Sequence, residues 1–152
     1  MCGIAGVVSI NESETSSNLK KMLHSMKHRG PDGAGLMIGN KVEHRDHLDE
    51  LDFKSKKGAI GLGHVRLAIT GGMDGLQPFQ SRDGKLTLLH NGEIYNYKEL
   101  RREMSDSADF LTDTDSEVII RLVEEYYEDN LVDAVKKILP LLDGVYALAI
   151  TD

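Results

Sequence analysis

A single cysteine stands at position 2 of the 152-residue sequence, directly after Met1. Removal of Met1 would leave Cys2 as the N-terminal residue, carrying both a nucleophile and a base. The thiol attacks as its thiolate. An α-amine has an ordinary pKa of about 7.7–8.0, so it can accept and return a proton near neutral pH. The competing interpretation is a small apolar side chain at the start of a strand.

Three other positions combine polar side chains with apolar or turn-forming neighbours. Arg66 is embedded in an apolar run, which argues against ordinary surface charge. Asn91-Gly92 follows an apolar segment, and this dipeptide is typical of a hairpin turn. Thr114 with Glu117 three residues later fits a helix capping box.

The elements that must position these residues follow from hydrophobic periodicity. The pattern predicts strands over 4–10, 34–38, 59–70, 85–90 and 144–151, and helices over 16–28, 97–104, 118–126 and 131–139. Asp83-Gly84 is a hairpin turn signal. The last strand is apolar on both faces, which predicts a buried position in a sheet. Hairpin signals and paired helices favour α+β layers over a doubly wound parallel sheet.

Residues 41–57 form a charged insert in which ten of the seventeen residues are charged. We expect an exposed excursion or an extended hairpin. His44 and His47, with neighbouring acidic residues, suggest metal ligation, but their spacing fits no zinc pattern. Solvated side chains are the preferred interpretation, and no metal site is predicted.

Composition excludes several classes of protein. The net charge of −7 argues against a nucleic-acid-binding surface, which needs clustered Lys and Arg. No apolar run reaches the roughly 20 residues that span a bilayer, and no secretory signal or nucleotide-binding fingerprint is found. One cysteine cannot form an intramolecular disulfide. A cytoplasmic chain of one domain is expected.

Six ordered blocks resemble the class II glutamine amidotransferases, which are N-terminal-nucleophile hydrolases with a four-layer αββα sandwich. The blocks are MCGIAG (1–6), HRGPDG (28–33), GHVRLAI (63–69), HNGEIYN (90–96), TDSE (114–117) and DGVYALA (143–149). The second and fourth blocks are most similar to the amidotransferase half of glutamine-hydrolysing asparagine synthetase. The resemblance covers the whole chain except the charged insert.

The resemblance implies a role for each block. Cys2 would be the nucleophile, and Asn91 with Gly92 would form the oxyanion hole. Arg66 would grip the substrate carboxylate through two parallel hydrogen bonds. The remaining implied substrate-binding residues are Leu67, Ala68, Ile69 and Thr70 lining the pocket, and Asp115 and Glu93 at the substrate ammonium.

Several of these residues also have a structural interpretation. Asp115 at a helix start would stabilise the helix dipole, and this role is compatible with substrate binding. His64 and His90 invite a Cys–His dyad, but the family uses its own α-amine, so packing or supporting roles are expected. Arg29 and Asp32 are expected to tie down a loop near the nucleophile.

The resemblance implies a glutaminase domain over residues 1–152 that forms a Cys2 thioester and releases glutamate and ammonia. Ammonia would pass to a synthetase domain that makes asparagine, and ATP and Mg²⁺ would be needed only there. The family continues into a further hairpin, so a truncated chain lacking C-terminal strands is expected, and it could form a homo-oligomer. The alternatives are an amidotransferase for another acceptor, such as a sugar phosphate, and a non-catalytic glutamine-binding or interaction module.

Overall fold

A computed structural model describes residues 2–68, 75–104 and 109–152. The chain divides into two compact units. The first comprises Met1–Ile69 with Leu76–Pro78, and the second comprises Thr70–Gly75 with Phe79–Asp152.

The first unit contains a four-stranded sheet in the order β1-β4-β2-β3, with every neighbouring pair antiparallel. Its strands are Gly3–Val8 (β1), Ala34–Ile38 (β2), Lys41–Arg45 (β3) and Ile60–Val65 (β4). All five residues of β2 are buried. This burial agrees with the continuous apolar run in the sequence of β2.

Helix α1, Glu12–Ser25, packs on this sheet through the fully buried Leu19 and Leu23. Glycines let the helix approach closely, because a Cβ on Gly63 would lie 2.6 Å from the Leu23 Cδ1 atom. The helix begins four residues before the predicted start at residue 16. Its first turn is polar and carries no apolar stripe, and the Asn11 side chain caps it by accepting a hydrogen bond from the Ser13 N–H.

The charged insert is a hairpin followed by a partly buried connection. Strand β3 pairs with β2 along its whole length, as an extended hairpin predicts. An entirely exposed excursion is wrong, because Leu48, Leu51 and Phe53 join the core of the first unit. The sequence pattern did not predict the burial of these three apolar side chains, because each of them stands between charged residues.

The second unit contains a three-stranded antiparallel sheet in the order β5-β6-β7. Its elements are Phe79–Gln80 (β5), Thr87–Ile94 (β6), Gly144–Thr151 (β7), Tyr97–Glu103 (α2), Asp115–Tyr126 (α3) and Leu131–Ile138 (α4). The predicted Asp83-Gly84 turn is confirmed: Gly84 has a φ of 74°, and its N–H donates to the Ser81 carbonyl at 3.0 Å.

Strand β7 lies at an edge and is not buried on both faces as predicted. Among the described strands it pairs with β6 alone, and none of its residues is fully buried. Val145 is an exposed apolar residue of this strand, with 72% of its surface accessible. An edge strand leaves one side uncovered even when its sequence is apolar throughout.

The core of the second unit is built on α3. Val118, Ile119 and Val123 of this helix are fully buried and pack with Leu88 and Ile94 of β6. The sheets are antiparallel throughout, which confirms the predicted α+β class. Of the helices in the described ranges, none is long and apolar enough to cross a membrane.

Candidate active site

Cys2 lies immediately before β1, and the pairing of Gly3 with Val65 brings it to the end of β4. Its side chain is half-buried. The Leu67 N–H lies 3.4 Å from the Cys2 sulfur, and the thiol can donate to the Leu67 carbonyl at 3.6 Å. Both the Leu67 N–H and the Leu67 carbonyl therefore lie within hydrogen-bonding distance of the sulfur.

Arg66 is the residue between β4 and the Leu67 peptide, and only 4% of it is exposed. Its own backbone is fixed on both sides, because its N–H donates to Gly33 at 2.8 Å and its carbonyl accepts from Asp32 at 2.9 Å. The sequence placed Arg66 in an apolar run, and its burial agrees with that expectation. The structure therefore brings Cys2 and Arg66 together within the first unit.

The segment 28–33 supports this end of β4. The Arg29 Nε–H donates to the Cys2 carbonyl at 3.1 Å, and Asp32 accepts from the Ala68 N–H at 2.9 Å. Gly30 is required by close approach, since a Cβ there would lie 2.4 Å from the Val65 carbonyl carbon. These contacts agree with the expectation that Arg29 and Asp32 tie down a loop near the nucleophile.

Asn91 and Gly92 lie within β6, so the hairpin-turn interpretation is wrong. Asn91 is opposite Ala147 and Gly92 is opposite Tyr146 in the pairing with β7. Gly92 has a φ of 153°, and a Cβ on it would lie 2.2 Å from the Val145 carbonyl oxygen. Only glycine fits this position. Among the described residues none hydrogen-bonds to the buried Asn91 Oδ1.

Asp115 is the first residue of α3 and is largely buried, with 8% exposed. Its Oδ2 accepts from the Ile94 N–H at 2.9 Å, and its Oδ1 accepts from the Ser116 N–H at the same distance. Asp115 therefore ties the start of α3 to the end of β6. A carboxylate has about four acceptor sites, so these two bonds leave capacity for a substrate ammonium.

The remaining predicted substrate-binding residues differ in exposure. Leu67 is half-buried, whereas Ala68 and Glu93 are exposed. Ile69 and Thr70 lie outside the described residues. Within the second unit, β6 carries Glu93 next to Ile94, the residue whose N–H binds Asp115.

His64 and His90 are both buried within strands. His64 is fully buried in β4. His90 is buried in β6, and its Nδ1 lies 2.8 Å from Ser116 Oγ. Burial lowers the pKa of His90, and the nearby Asp115 carboxylate opposes that effect. Sequence reasoning missed Ser116 as a partner because only its place at a helix start was visible.

His44 in the charged insert also has a local partner. Its Nε2 lies 3.0 Å from the Pro78 carbonyl, and burial lowers its pKa. Within residues 2–68, 75–104 and 109–152, no group of three or more His, Cys, Asp or Glu side chains is placed to hold a metal ion.

Comparison with known proteins places these residues in a family. A family model described as "Glutamine amidotransferase domain" matches residues 1–152. The glutamine–fructose-6-phosphate aminotransferases (isomerizing) of Staphylococcus aureus strain Mu50 and of Staphylococcus epidermidis are each 36% identical to the chain. Each match covers 100% of this chain and 27% of the relative. The chain thus spans about a quarter of the length of these relatives.

Two solved structures are also similar. One is the glutamine phosphoribosylpyrophosphate amidotransferase from B. subtilis complexed with ADP and GMP, with a TM-score of 0.82. The other is described as the allosteric regulatory enzyme of purine biosynthesis, with a TM-score of 0.83. Each is 29% identical and covers 99% of this chain and 35% of its own. The predicted N-terminal-nucleophile amidotransferase fold is confirmed, and the chain belongs to the glutamine amidotransferase domain family.

Proposed function

We propose that this chain is a glutaminase domain that hydrolyses glutamine to glutamate and ammonia through a thioester on Cys2. The observation that carries the proposal is the placement of the Cys2 sulfur against the Leu67 peptide, next to the buried Arg66. Membership of the amidotransferase family supports this assignment.

The chemistry uses a chain from which Met1 has been removed. The α-amine of Cys2 takes the thiol proton, and the thiolate attacks the side-chain amide carbon of glutamine. The carbon–nitrogen bond then breaks, and the α-ammonium returns the proton so that ammonia leaves. Water attacks the γ-glutamyl thioester, releasing glutamate and restoring the thiol.

The tetrahedral intermediate carries an oxyanion that needs donors held in place beforehand. The Asn91 side-chain amide and the Gly92 N–H are assigned this role. One such donor contributes about 2.7–4 kcal/mol to the transition state in comparable sites. The rigid pairing of both residues with β7 supports the assignment, because it fixes the strand that carries them.

Glutamine also presents an α-carboxylate and an α-ammonium. Arg66 is assigned to the carboxylate, and Asp115 and Glu93 are assigned to the ammonium. Leu67, Ala68, Ile69 and Thr70 are assigned to the lining of the glutamine site. No cofactor is required by this half-reaction; ATP and Mg²⁺ would be needed only where an acceptor is activated.

The acceptor of ammonia is proposed from the relatives, of which the chain spans about a quarter of the length. The staphylococcal relatives act on fructose 6-phosphate by name, and one similar structure is named for phosphoribosylpyrophosphate. These names favour a sugar-phosphate acceptor over aspartate, although two sequence blocks are most similar to asparagine synthetase. Assays of the full-length protein with glutamine and either fructose 6-phosphate or aspartate plus ATP would distinguish the two acceptors.

Intact mass and glutamate release test the glutaminase proposal. We expect a chain lacking Met1 that gains one adduct from 6-diazo-5-oxo-norleucine, a glutamine analogue that alkylates the nucleophile, and that releases glutamate from glutamine. A chain that retains Met1, gains no adduct and releases no glutamate would favour the non-catalytic module.

A further inference from the structure

Two hydrogen bonds hold the start of helix α3 against strand β6. The Ile94 N–H donates to the Asp115 Oδ2 at 2.9 Å, and the His90 Nδ1 lies 2.8 Å from the Ser116 Oγ. His90 and Ile94 are four residues apart on β6, so their side chains leave the same face of the strand. All four residues are buried. Asp115 and Ser116 are therefore fixed on the strand together.

Ser116 approaches the Asp115 carboxylate with both of its donors. Its backbone N–H donates to the Asp115 Oδ1 at 2.9 Å, and its hydroxyl lies 3.5 Å from the same oxygen. A hydroxyl has one proton, so it cannot donate to His90 and to Asp115 at once. When the His90 Nδ1–H donates to the hydroxyl, the hydroxyl proton is left for the charged acceptor, which makes the stronger bond. The contact between His90 and Ser116 is thereby linked to the carboxylate.

His90 contributes this hydrogen bond without neutralising the carboxylate. Burial lowers the pKa of His90, although the Asp115 carboxylate opposes that effect, so the ring is neutral near neutral pH. The His90 Nδ1 is 4.0 Å from the Asp115 Oδ2. A protonated ring at this distance would compete with a substrate ammonium for the negative charge, whereas a neutral ring does not.

The two bonds lie on either side of the residues assigned to the oxyanion. Asn91 and Gly92 stand between His90 and Ile94 along β6. Glutamine carries its amide and its ammonium at opposite ends of one short chain, so its recognition requires a fixed separation between the groups that meet those ends. The bonds between β6 and the start of α3 set that separation within the second unit.

We infer that His90 and Ser116 are positioning residues that orient the Asp115 carboxylate towards the ammonium of glutamine. The inference rests on the proposed function, which assigns the ammonium to Asp115. The pair acts through Asp115 and does not itself touch the substrate. Loss of the pair should therefore weaken the binding of a ligand that carries an α-ammonium and spare the binding of one that lacks it.

The test compares the affinities for two ligands, glutamine and 4-carbamoylbutanoate, which is glutamine without its α-amino group. Dissociation constants are measured by NMR titration of the 152-residue chain carrying Cys2→Ala, so that no turnover interferes. Ser116→Ala removes the hydroxyl. His90→Leu removes the Nδ1 atom, whereas His90→Asn, which is similar in size to the Leu variant, keeps a polar atom attached to Cγ.

Ser81→Ala is the matched control for Ser116→Ala. Both serines belong to the second unit and are 5% exposed. The Ser81 hydroxyl also takes part in a buried hydrogen bond, since it accepts from the Leu86 N–H at 2.8 Å. This control therefore removes a comparable hydroxyl that has no contact with Asp115 among its hydrogen bonds in the described residues.

For Ser116→Ala and His90→Leu we expect the dissociation constant for glutamine to rise about tenfold, because a charge-assisted bond to the ammonium is misplaced. The constant for 4-carbamoylbutanoate should change less than about twofold. The double variant should lose no more than either single variant, since both remove the same contact. His90→Asn should recover most of the affinity for glutamine, and Ser81→Ala should match the parent chain for both ligands.

Three results would overturn the inference: an unchanged affinity for glutamine, an equal loss for both ligands, or an Asn variant as weak as the Leu variant. A Cys2→Ala chain that does not bind glutamine would overturn it as well. Should His90→Leu fail to fold, Ser116→Ala decides between the first two results. Glutamate release by the chain with Cys2 intact tests the glutaminase proposal separately, and a chain that binds glutamine but releases no glutamate would defeat that proposal alone.

Discussion

Cys2 has a minor part in the packing of the fold, since its side chain is half-buried and its sulfur meets the Leu67 peptide. We expect Cys2→Ala to lose at least about a thousandfold in glutaminase kcat, because the nucleophile itself is removed. The melting temperature should stay close to that of the wild type. Alanine is also small enough to permit removal of Met1, so the α-amine is preserved. Substantial turnover by this variant would exclude the thioester mechanism.

Arg66 is buried, so its replacement by alanine would leave a cavity and confuse binding with folding. Arg66→Lys keeps the charge but cannot form two parallel bonds with a carboxylate. We expect KM for glutamine to rise about tenfold to a hundredfold, with kcat changed much less. The measurement is steady-state glutamate release. An unaltered KM would remove Arg66 from the carboxylate site.

Residue type and position indicated Cys2 and Arg66 as candidates, and the family resemblance added Asp115, but neither could reveal the hydrogen-bond partners of these residues. Asp115 accepts a hydrogen bond from the neighbouring Ser116 N–H, but also one from the Ile94 N–H, 21 residues earlier in the sequence. Such partners depend on how α3 meets β6, which no local pattern encodes. The contact between Asp32 and Ala68 is of the same kind.

At the level of elements, Asp115 anchors the start of α3 to β6. Asp115→Asn keeps an oxygen acceptor for the Ile94 N–H, so we expect nearly wild-type stability but a higher KM for glutamine. Asp115→Ala leaves that buried N–H unpaired and should lower the free energy of unfolding by about 1–3 kcal/mol. Urea titration and glutamate release distinguish the two effects. Equal KM values for Asn and wild type would limit Asp115 to the structural role.

The same helix start contains Glu117, which is buried and accepts hydrogen bonds from Leu111, Thr112 and Arg121. The predicted capping box is confirmed in its first half, where Thr114 Oγ1 accepts from the Glu117 N–H. In the second half Glu117 reaches Leu111 and Thr112 instead of the Thr114 N–H. The carboxylate thereby fastens the preceding loop to α3.

Burial raises the pKa of Glu117, but the bonds from Leu111, Thr112 and Arg121 outweigh it, so the net pKa lies below the ordinary value of 4.5. A lowered folded-state pKa contributes stability that is present above the unfolded value and is lost as pH falls through the folded value. We expect the free energy of unfolding to decline below about pH 4.5, with a smaller decline in Glu117→Gln. Identical pH dependence in both chains would contradict this linkage.

Local patterns predicted most elements, and two of the errors at the ends of elements have a clear physical reason. Asn91-Gly92 is a turn signal, yet pairing with β7 keeps both residues in an extended strand. The start of α1 at Glu12 was missed because its first turn is polar and gains stability from the Asn11 cap. Strand pairing and helix capping therefore determine the secondary structure at positions where the apolar pattern is weak.

At the scale of the whole molecule, the ordered blocks predicted the family correctly because they span nearly the entire sequence. The acceptor of ammonia could not be predicted as well, since the chain covers only about a quarter of the length of its curated relatives.

The open edge of β7 gives a prediction for the whole chain. Among the described strands β7 pairs with β6 alone, and Val145 on it is 72% exposed. Unpaired edge groups with apolar neighbours favour pairing with a second copy of the chain. We expect concentration-dependent self-association in sedimentation velocity, and we expect Val145→Lys to reduce it.

Lysine at position 145 should be tolerated by the fold, because it lies opposite Glu93 in the register of β6 and β7 and adds an opposite-charge pair. Val132→Lys is the matched control: Val132 is an apolar residue that is 61% exposed and belongs to helix α4, so it is not part of a strand. If the chain associates through the β7 edge, the Val132→Lys control should associate like the wild type. A chain that stays monomeric at every concentration, or equal effects of both lysines, would show that the β7 edge does not mediate association.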